Sequence, residues 1–263
     1  MNRMDRIFSK NLAKGRGSLV CYFPICDPIL DDDVAWAGKY FSCGCDVLEV
    51  GLPYQNPRYD GPTVADSMRR ALSRTDLNGI FRRIRDIRDA YPENIIQVMT
   101  YYENVQHYGF EGFAAKCGEA GVDGVLCANL PIDKMQIFDE TLGRYGIYNC
   151  RFALYHLTDE AVDDLASHAR GYIFLQAVDG ATGARVDVDP KLADHVRFLK
   201  DKNVPAPVFS GFGISTSDHV VKHMQAGSDG VIVGSSTISH IIAGDAEAYI
   251  RELAANLTVK MSI

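Results

Sequence analysis

The sequence predicts a (β/α)8 TIM barrel, an α/β fold in which eight parallel strands each precede a helix. Three observations carry this. Short apolar runs alternate with amphipathic stretches along the whole chain, eight times in 263 residues, which is the count and size of that fold. The runs are rich in Val, Ile, Leu and Phe and lack polar alternation, as expected of strands buried on both faces. A loop pattern, Gly-x-Asp-x-[Val/Leu], recurs at residues 44–48, 121–125 and 227–231, before the second, fourth and eighth strands. Its Gly suits a helix end that needs positive φ, and its Asp can satisfy backbone donors of the turn. Such recurrence fits a barrel of like units and marks its N-terminal, stabilising face. A doubly wound open sheet is the alternative, because periodicity does not report closure.

The elements follow in order. Residues 19–23 form the first strand and 31–41 its helix, whose Asp31-Asp32-Asp33 start reads as a capped, dipole-matched first turn. Strand 46–50 is followed by a long loop and helix 76–91, strand 95–99 by helix 110–120, and strand 124–127 by helix 133–145. Strand 150–154 precedes helix 159–169, strand 171–175 precedes helix 190–200, strand 207–209 precedes helix 218–226, and strand 230–233 precedes helix 246–256. Pro, Gly and Ser are scattered and no linker interrupts the series, so residues 1–263 read as one domain.

Composition narrows the function. A net charge of −7 argues against a broad nucleic-acid surface. No apolar run approaches the ~20 residues that span a bilayer, and residues 1–14 lack the apolar core of a signal peptide. The seven cysteines have no disulfide-framework or zinc spacing and read as core-filling thiols. A cytoplasmic, soluble protein is expected. The lysines fall on predicted helices or loops, which disfavours a Schiff-base aldolase. The histidines form no ligand cluster; His219 and His223, one helical turn apart, are expected on the solvated face of an outer helix, and no metal is implied.

In this fold the chemistry sits at the C-terminal ends of the strands. Glu49 lies inside the apolar run Val47-Leu48-Glu49-Val50, where burial would raise its pKa into a range useful for proton transfer. Asp60 stands in the long loop from Gly51 to Thr63, although Asp60-Gly61 alone would read as an ordinary turn. Glycine-rich segments follow the last strands: Gly211-Phe212-Gly213-Ile214-Ser215 after the seventh and Gly234-Ser235-Ser236 after the eighth. Glycines there let the backbone approach an anion, and a short helix starting at Ser235 would aim its N–H groups at it. Gly180-Ala181-Thr182-Gly183, after the sixth strand, could close over the same place.

These residues resemble the tryptophan synthase alpha-subunit family, collinearly from the first helix to the last. Residues 46–53 with Asp60-Gly61-Pro62-Thr63 are similar to its signature E-x-G-x-P-[FY]-S-D-P-x-x-D-G-P-x-I, the three glycine segments to its phosphate loops, and Asp27-Pro28 to its turn after the first strand. The resemblance implies the barrel with an extra N-terminal helix and retro-aldol cleavage of indole-3-glycerol phosphate to indole and glyceraldehyde 3-phosphate. It implies Glu49 as general acid/base and Asp60 as the acceptor of the indole N–H. Gly183, Gly213, Gly234 and Ser235 would hold phosphate. Tyr22, Thr100, Leu126, Phe174, Thr182 and Phe212 would line the indole pocket. It implies no cofactor, and a beta-subunit partner.

The departures bear on that partner and on the pocket wall. Gln55-Asn56-Pro57 replaces Ser-Asp-Pro, Asn129 stands for a usual Asp, Val178 for an Arg, Phe174 for a Tyr and Pro24 for a Thr. Tyr155-His156-Leu157 replaces a proline-containing segment, and Thr100 takes a usually apolar position. The changes at Gln55, Asn56 and Val178, with charge lost at 56, 129 and 178, put coupling to the beta subunit in doubt. The alternatives are the same chemistry on a different aryl-glycerol phosphate in a secondary pathway, and a non-catalytic regulatory partner of a beta-like subunit.

Overall fold

The computed structural model describes residues 1–177 and 188–258. After helix α1 (Arg3–Ala13) come β1 (Ser18–Phe23), α2 (Asp33–Ser42), β2 (Val47–Gly51), α3 (Pro62–Leu72), α4 (Leu77–Ala90), β3 (Ile95–Thr100), α5 (Tyr102–Ala120) and β4 (Gly124–Cys127). A short 3-10 turn (Ile132–Lys134) leads into α6 (Met135–Arg144), β5 (Tyr148–Ala153), α7 (Asp159–His168) and β6 (Ile173–Gln176). Then follow α8 (Leu192–Asp201), β7 (Val208–Gly211), α9 (Ser217–Gln225), β8 (Gly230–Val233), α10 (Ser235–Ala243) and α11 (Ala246–Ala255). The strands pair in chain order, all parallel, and β8 returns to β1 to close the barrel. The open-sheet alternative is therefore excluded. Among the described residues no helix is long and apolar enough to cross a membrane.

The doubly apolar strands are explained by two cores. Outward residues such as Leu19, Leu48 and Val98 pack under the helices, while Val20, Val47, Ile95 and Phe209 fill the barrel. Helix α1 closes the N-terminal end. Its Met4 and Phe8 are buried, and Phe8 meets Phe209 edge-on at 5.0 Å. Its N-cap Asn2 accepts from the Met4 N–H, the usual way to satisfy a first-turn donor.

The repeated Gly-x-Asp loop does more than the expected local turn. Gly44, Gly121 and Gly227 have φ of 100, 75 and 98°, the left-handed region that glycine enters without strain. The aspartates, however, reach to the neighbouring strand: Asp46 accepts the Leu19 N–H at 2.8 Å, Asp123 that of Ile96 at 2.9 Å, and Asp229 that of Val208 at 2.9 Å. A cation then binds the carboxylate and the loop glycine's carbonyl together: Arg16 on Asp46 and Gly44, Arg88 on Asp123 and Gly121, Lys200 on Asp229 and Gly227. Three cross-strand clamps thus tie β1 to β2, β3 to β4 and β7 to β8.

Two helical stretches escape the sequence reading. Helix α3 begins at Pro62, a residue preorganised for a helix start, directly after the Asp60 loop. Helix α5 begins eight residues before the predicted 110 and bends at Gly109, where φ is 69°. His219 and His223 are a further correction. Both are buried, because α9 turns residues 219, 220, 223 and 224 inward. His223 Nδ1 lies 2.7 Å from Ser210 Oγ, and burial pushes its pKa down to about 3, so it is a neutral core group.

Candidate active site

Side-chain parity along β2 aims Val47 and Glu49 into the barrel. Glu49 opens onto a cavity at the C-terminal mouth, 4% exposed, with Tyr22 of β1 and Gln97 of β3 as register neighbours. Its carboxylate accepts one hydrogen bond, from Gln97 Nε2 at 3.2 Å. Burial, reinforced by the charge of Asp60, pushes its pKa up to about 8.

Asp60 faces the same cavity from the loop after β2. Tyr101, the residue after β3, holds that loop: its hydroxyl donates to Asp60 Oδ2 at 2.7 Å and accepts the Tyr59 N–H at 3.1 Å. Tyr54 and Tyr59 stack on its ring at 5.2 and 6.2 Å, and Asn104 donates to the Pro53 carbonyl. Loss of solvent pushes Asp60 up to about 6, against the pull of the Tyr101 hydroxyl. Below the loop, α3 is anchored by Arg70, whose guanidinium grips the fully buried Asp27 in a two-pronged pair at 2.8 and 2.5 Å. Asp27 therefore fixes the entry of the Asp60 segment against the turn after β1.

The rim is built from the turns after β7 and β8. Phe212 and Gly213 adopt φ of 77 and 81° in succession; for Phe this conformation is uncommon and signals a backbone held by its surroundings. Gly234 starts α10 without a side-chain cap, and a Cβ there would meet nothing within 4 Å. An uncapped helix start beside open space offers free N–H donors to an anion. Gly213, Gly234 and Ser235 all line the cavity.

Tyr22, Leu126, Phe174 and Phe212 line it as well. Thr100 does not. Parity along β3 sends Gln97 and Met99 inward and Thr100 outward, where its hydroxyl bonds the Tyr101 carbonyl and accepts from Asn104. Met99 takes the wall position assigned to it. Thr182, Gly183 and Val178 lie outside the described residues. Tyr155 and His156 are absent from the cavity lining, and the Tyr155 hydroxyl donates to Asp189 at 2.8 Å. The wall at that end is Phe152 stacked on Phe174, with centroids 4.8 Å apart. Sequence reasoning missed Phe152, Met99 and Tyr101, all of which the period-2 rule places once the strand ends are known.

Asn129 has an explanation in its neighbours. Its Oδ1 accepts the Tyr102 N–H at 2.7 Å and its Nδ2 donates to Glu103 Oε2 at 2.9 Å, while Arg58 pairs with the other Glu103 oxygen. The negative charge missing from position 129 sits on Glu103, one loop away, and an aspartate at 129 would repel it.

The fold and cavity define a (β/α)8 barrel whose mouth carries two acids without a cationic partner among the described residues, beside two glycine turns. The chain belongs to the tryptophan synthase alpha chain family, whose family model matches residues 8–262. The tryptophan synthase alpha chain of Methanoregula boonei is 37% identical over 242 residues, covering 90% of this chain and 88% of the relative. That of Photobacterium profundum is 34% identical, with 92% and 90% covered. Among solved structures, a tryptophan synthase of Mycobacterium tuberculosis superposes with a TM-score of 0.88 at 27% identity, covering 98% of this chain and 99% of that one.

Proposed function

We propose that this chain is a carbon–carbon lyase of tryptophan biosynthesis that cleaves indole-3-glycerol phosphate to indole and glyceraldehyde 3-phosphate. The observation that carries the reading is one cavity holding Glu49 at about 8 and Asp60 at about 6, in a chain of this family. Near pH 7 those values favour a protonated Glu49 beside an ionised Asp60, which is the pair the reaction needs. The indole ring lies between Tyr22, Leu126, Phe174 and Phe212, and the phosphate meets Gly213, Gly234 and Ser235, with Gly183. Glu49 gives its proton to indole C3. Asp60 accepts the indole N–H bond and stabilises the positive charge that spreads over the ring. The Glu49 carboxylate then takes the proton of the glycerol hydroxyl on the carbon attached to C3. The carbon–carbon bond breaks, its electron pair returns to the ring, an aldehyde forms, and Glu49 ends protonated as it began.

The reading of an altered aromatic substrate rested on Thr100, Tyr155 and His156 as wall residues, and none of them lines the cavity. Retention of both acids speaks against a purely regulatory chain. We also propose a beta-subunit partner, with loop coupling carried by the Arg58–Glu103–Asn129 link in place of acids at 56 and 129. The test is indole release from indole-3-glycerol phosphate by the purified chain, alone and with a tryptophan synthase beta subunit. Indole and glyceraldehyde 3-phosphate in equal amounts are expected, faster with the partner; no indole under either condition overturns the reading.

A further inference from the structure

Gln97 is a polar side chain in the middle of the apolar run Ile95-Ile96-Gln97-Val98-Met99, fully buried inside the barrel. Burying a primary amide among apolar neighbours costs on the order of 1–3 kcal/mol unless its hydrogen bonds are met. Here they are met on both sides. Nε2 donates to Glu49 Oε1 at 3.2 Å, and Oε1 accepts from the Tyr172 hydroxyl at 2.5 Å. Tyr172 cannot follow a wandering partner: it is fully buried, and its ring stacks on Phe209 at 4.8 Å with Phe8 against its edge. The line Tyr172–Gln97–Glu49 thus runs from the plugged end of the barrel to the reacting end.

An amide between a hydroxyl and a carboxyl has a property that no charged or apolar side chain shares. With Nε2 towards Glu49 it donates to an ionised carboxylate while its oxygen takes the tyrosine proton. Turned over, its oxygen accepts from a protonated carboxyl while its nitrogen donates to the tyrosine oxygen. Both arrangements keep one hydrogen bond across each contact, so the Glu49 carboxyl has a partner whether or not it carries a proton. Leu would satisfy neither state, Lys would hold Glu49 ionised, and a second acid would hold it protonated.

We propose that Gln97, oriented by Tyr172, is the positioning residue that keeps the Glu49 carboxyl aimed and hydrogen-bonded in both of its protonation states during turnover. This rests on Glu49 being the acid/base of the proposed reaction, and it adds a residue whose side chain reaches the substrate only through Glu49.

The experiment pairs Gln97→Leu with Tyr172→Phe. For each, kcat and KM for indole release are measured from pH 5.5 to 9.5, and the Glu49 carboxyl is titrated by carbon-13 NMR without substrate. Gln97→Leu is expected to lower kcat by about a hundredfold, within the range for a displaced acid/base group, and to change KM less than about threefold. The bond to the ionised carboxylate is the stronger of the two, being charge-assisted, so removing the donor should move the Glu49 titration and the alkaline limb of kcat upward by about one pH unit. Tyr172→Phe leaves the amide unpinned and should lower kcat by about tenfold, with a smaller displacement in the same direction. An unmoved Glu49 titration in the folded variants overturns the proposal, as does a loss shared equally by kcat and KM. Should Gln97→Leu fail to fold, Tyr172→Phe decides by the same two readings. The NMR titration needs no turnover, so a failed substrate assignment leaves it able to judge Gln97.

Discussion

At the N-terminal end of the barrel, Asp46, Asp123 and Asp229 each accept a strand N–H and pair with Arg or Lys, whereas at the C-terminal end Glu49 and Asp60 receive only the neutral donors Gln97 and Tyr101 among the described residues. The burial is similar and the residue type is nearly the same. What differs is compensation. A carboxylate given a cation and a backbone donor ties strands together. One denied a cation takes up a proton near neutrality and is free to hand it on. The fold supports both because the last turns of α4 and α8 and the loop before β1 bring cations to the lower end, while the upper end is walled by aromatic rings.

One exchange, acid to amide, separates the two ends most sharply. Glu49→Gln is expected to lower indole release by about a thousandfold or more, since on the proposed mechanism it removes the group that protonates C3. It should also stabilise the protein. The folded pKa of Glu49 is raised from 4.5 to about 8, so its contribution is most favourable below about pH 4.5 and is lost as pH rises through 8. At pH 7 the folded chain must keep a proton that the unfolded chain releases, a handicap of about 3 kcal/mol that glutamine does not carry. A denaturant midpoint at or below the parent value at pH 8 would contradict this.

At the other end, Asp123→Asn should cost about 3 kcal/mol of stability, because it leaves the buried Arg88 guanidinium and part of Arg3 without their counter-charge. The kcat of the folded fraction should stay within about twofold of the parent. Urea unfolding followed beside the indole assay reads both, and a rate loss matching Glu49→Gln would join the two ends functionally.

The pH profile of kcat/KM, which reports the free enzyme's acid and base, is the next discriminator. With an ionised Asp60 and a protonated Glu49 as the active pair, it should be bell-shaped, rising through about pH 6 and falling through about pH 8, the two limbs belonging to the coupled pair. The smallest expected effect is that of Asp229→Asn. Its partner Lys200 has a 42% exposed side chain, so water replaces much of the lost pair and the cost should be about 1 kcal/mol. A loss equal to that of Asp123→Asn would show that the strand N–H, common to both clamps, is the larger contributor.

Most of the fold was legible because doubly buried strands leave a signature that amphipathic helices do not, and the eight strand positions hold to within a few residues. Glu49 was legible for the converse reason, as a charge where the pattern forbids one. By that logic Gln97 was equally visible in its own strand, but an amide carries no charge and drew no attention. Thr100 was misplaced by one step of strand parity, which a motif does not record. The inward face of α9 was hidden because its histidines look polar, and only their partners, Ser210 and the Ser215 N–H, make them core residues. Helix α3 was masked by the Gly-Pro punctuation that in fact starts it.

The clamps also bear on how the chain reaches this shape. Each spans a short stretch of sequence, the bonded partners being 27, 27 and 21 positions apart, so closing one carries a small loop entropy. They join odd strands to the even strands that follow, and among the described residues β5 and β6 share no such aspartate. The barrel can therefore assemble from two-stranded units that are secured early, and β5 with β6 is the pair that must wait for its neighbours before its lower edge is fixed.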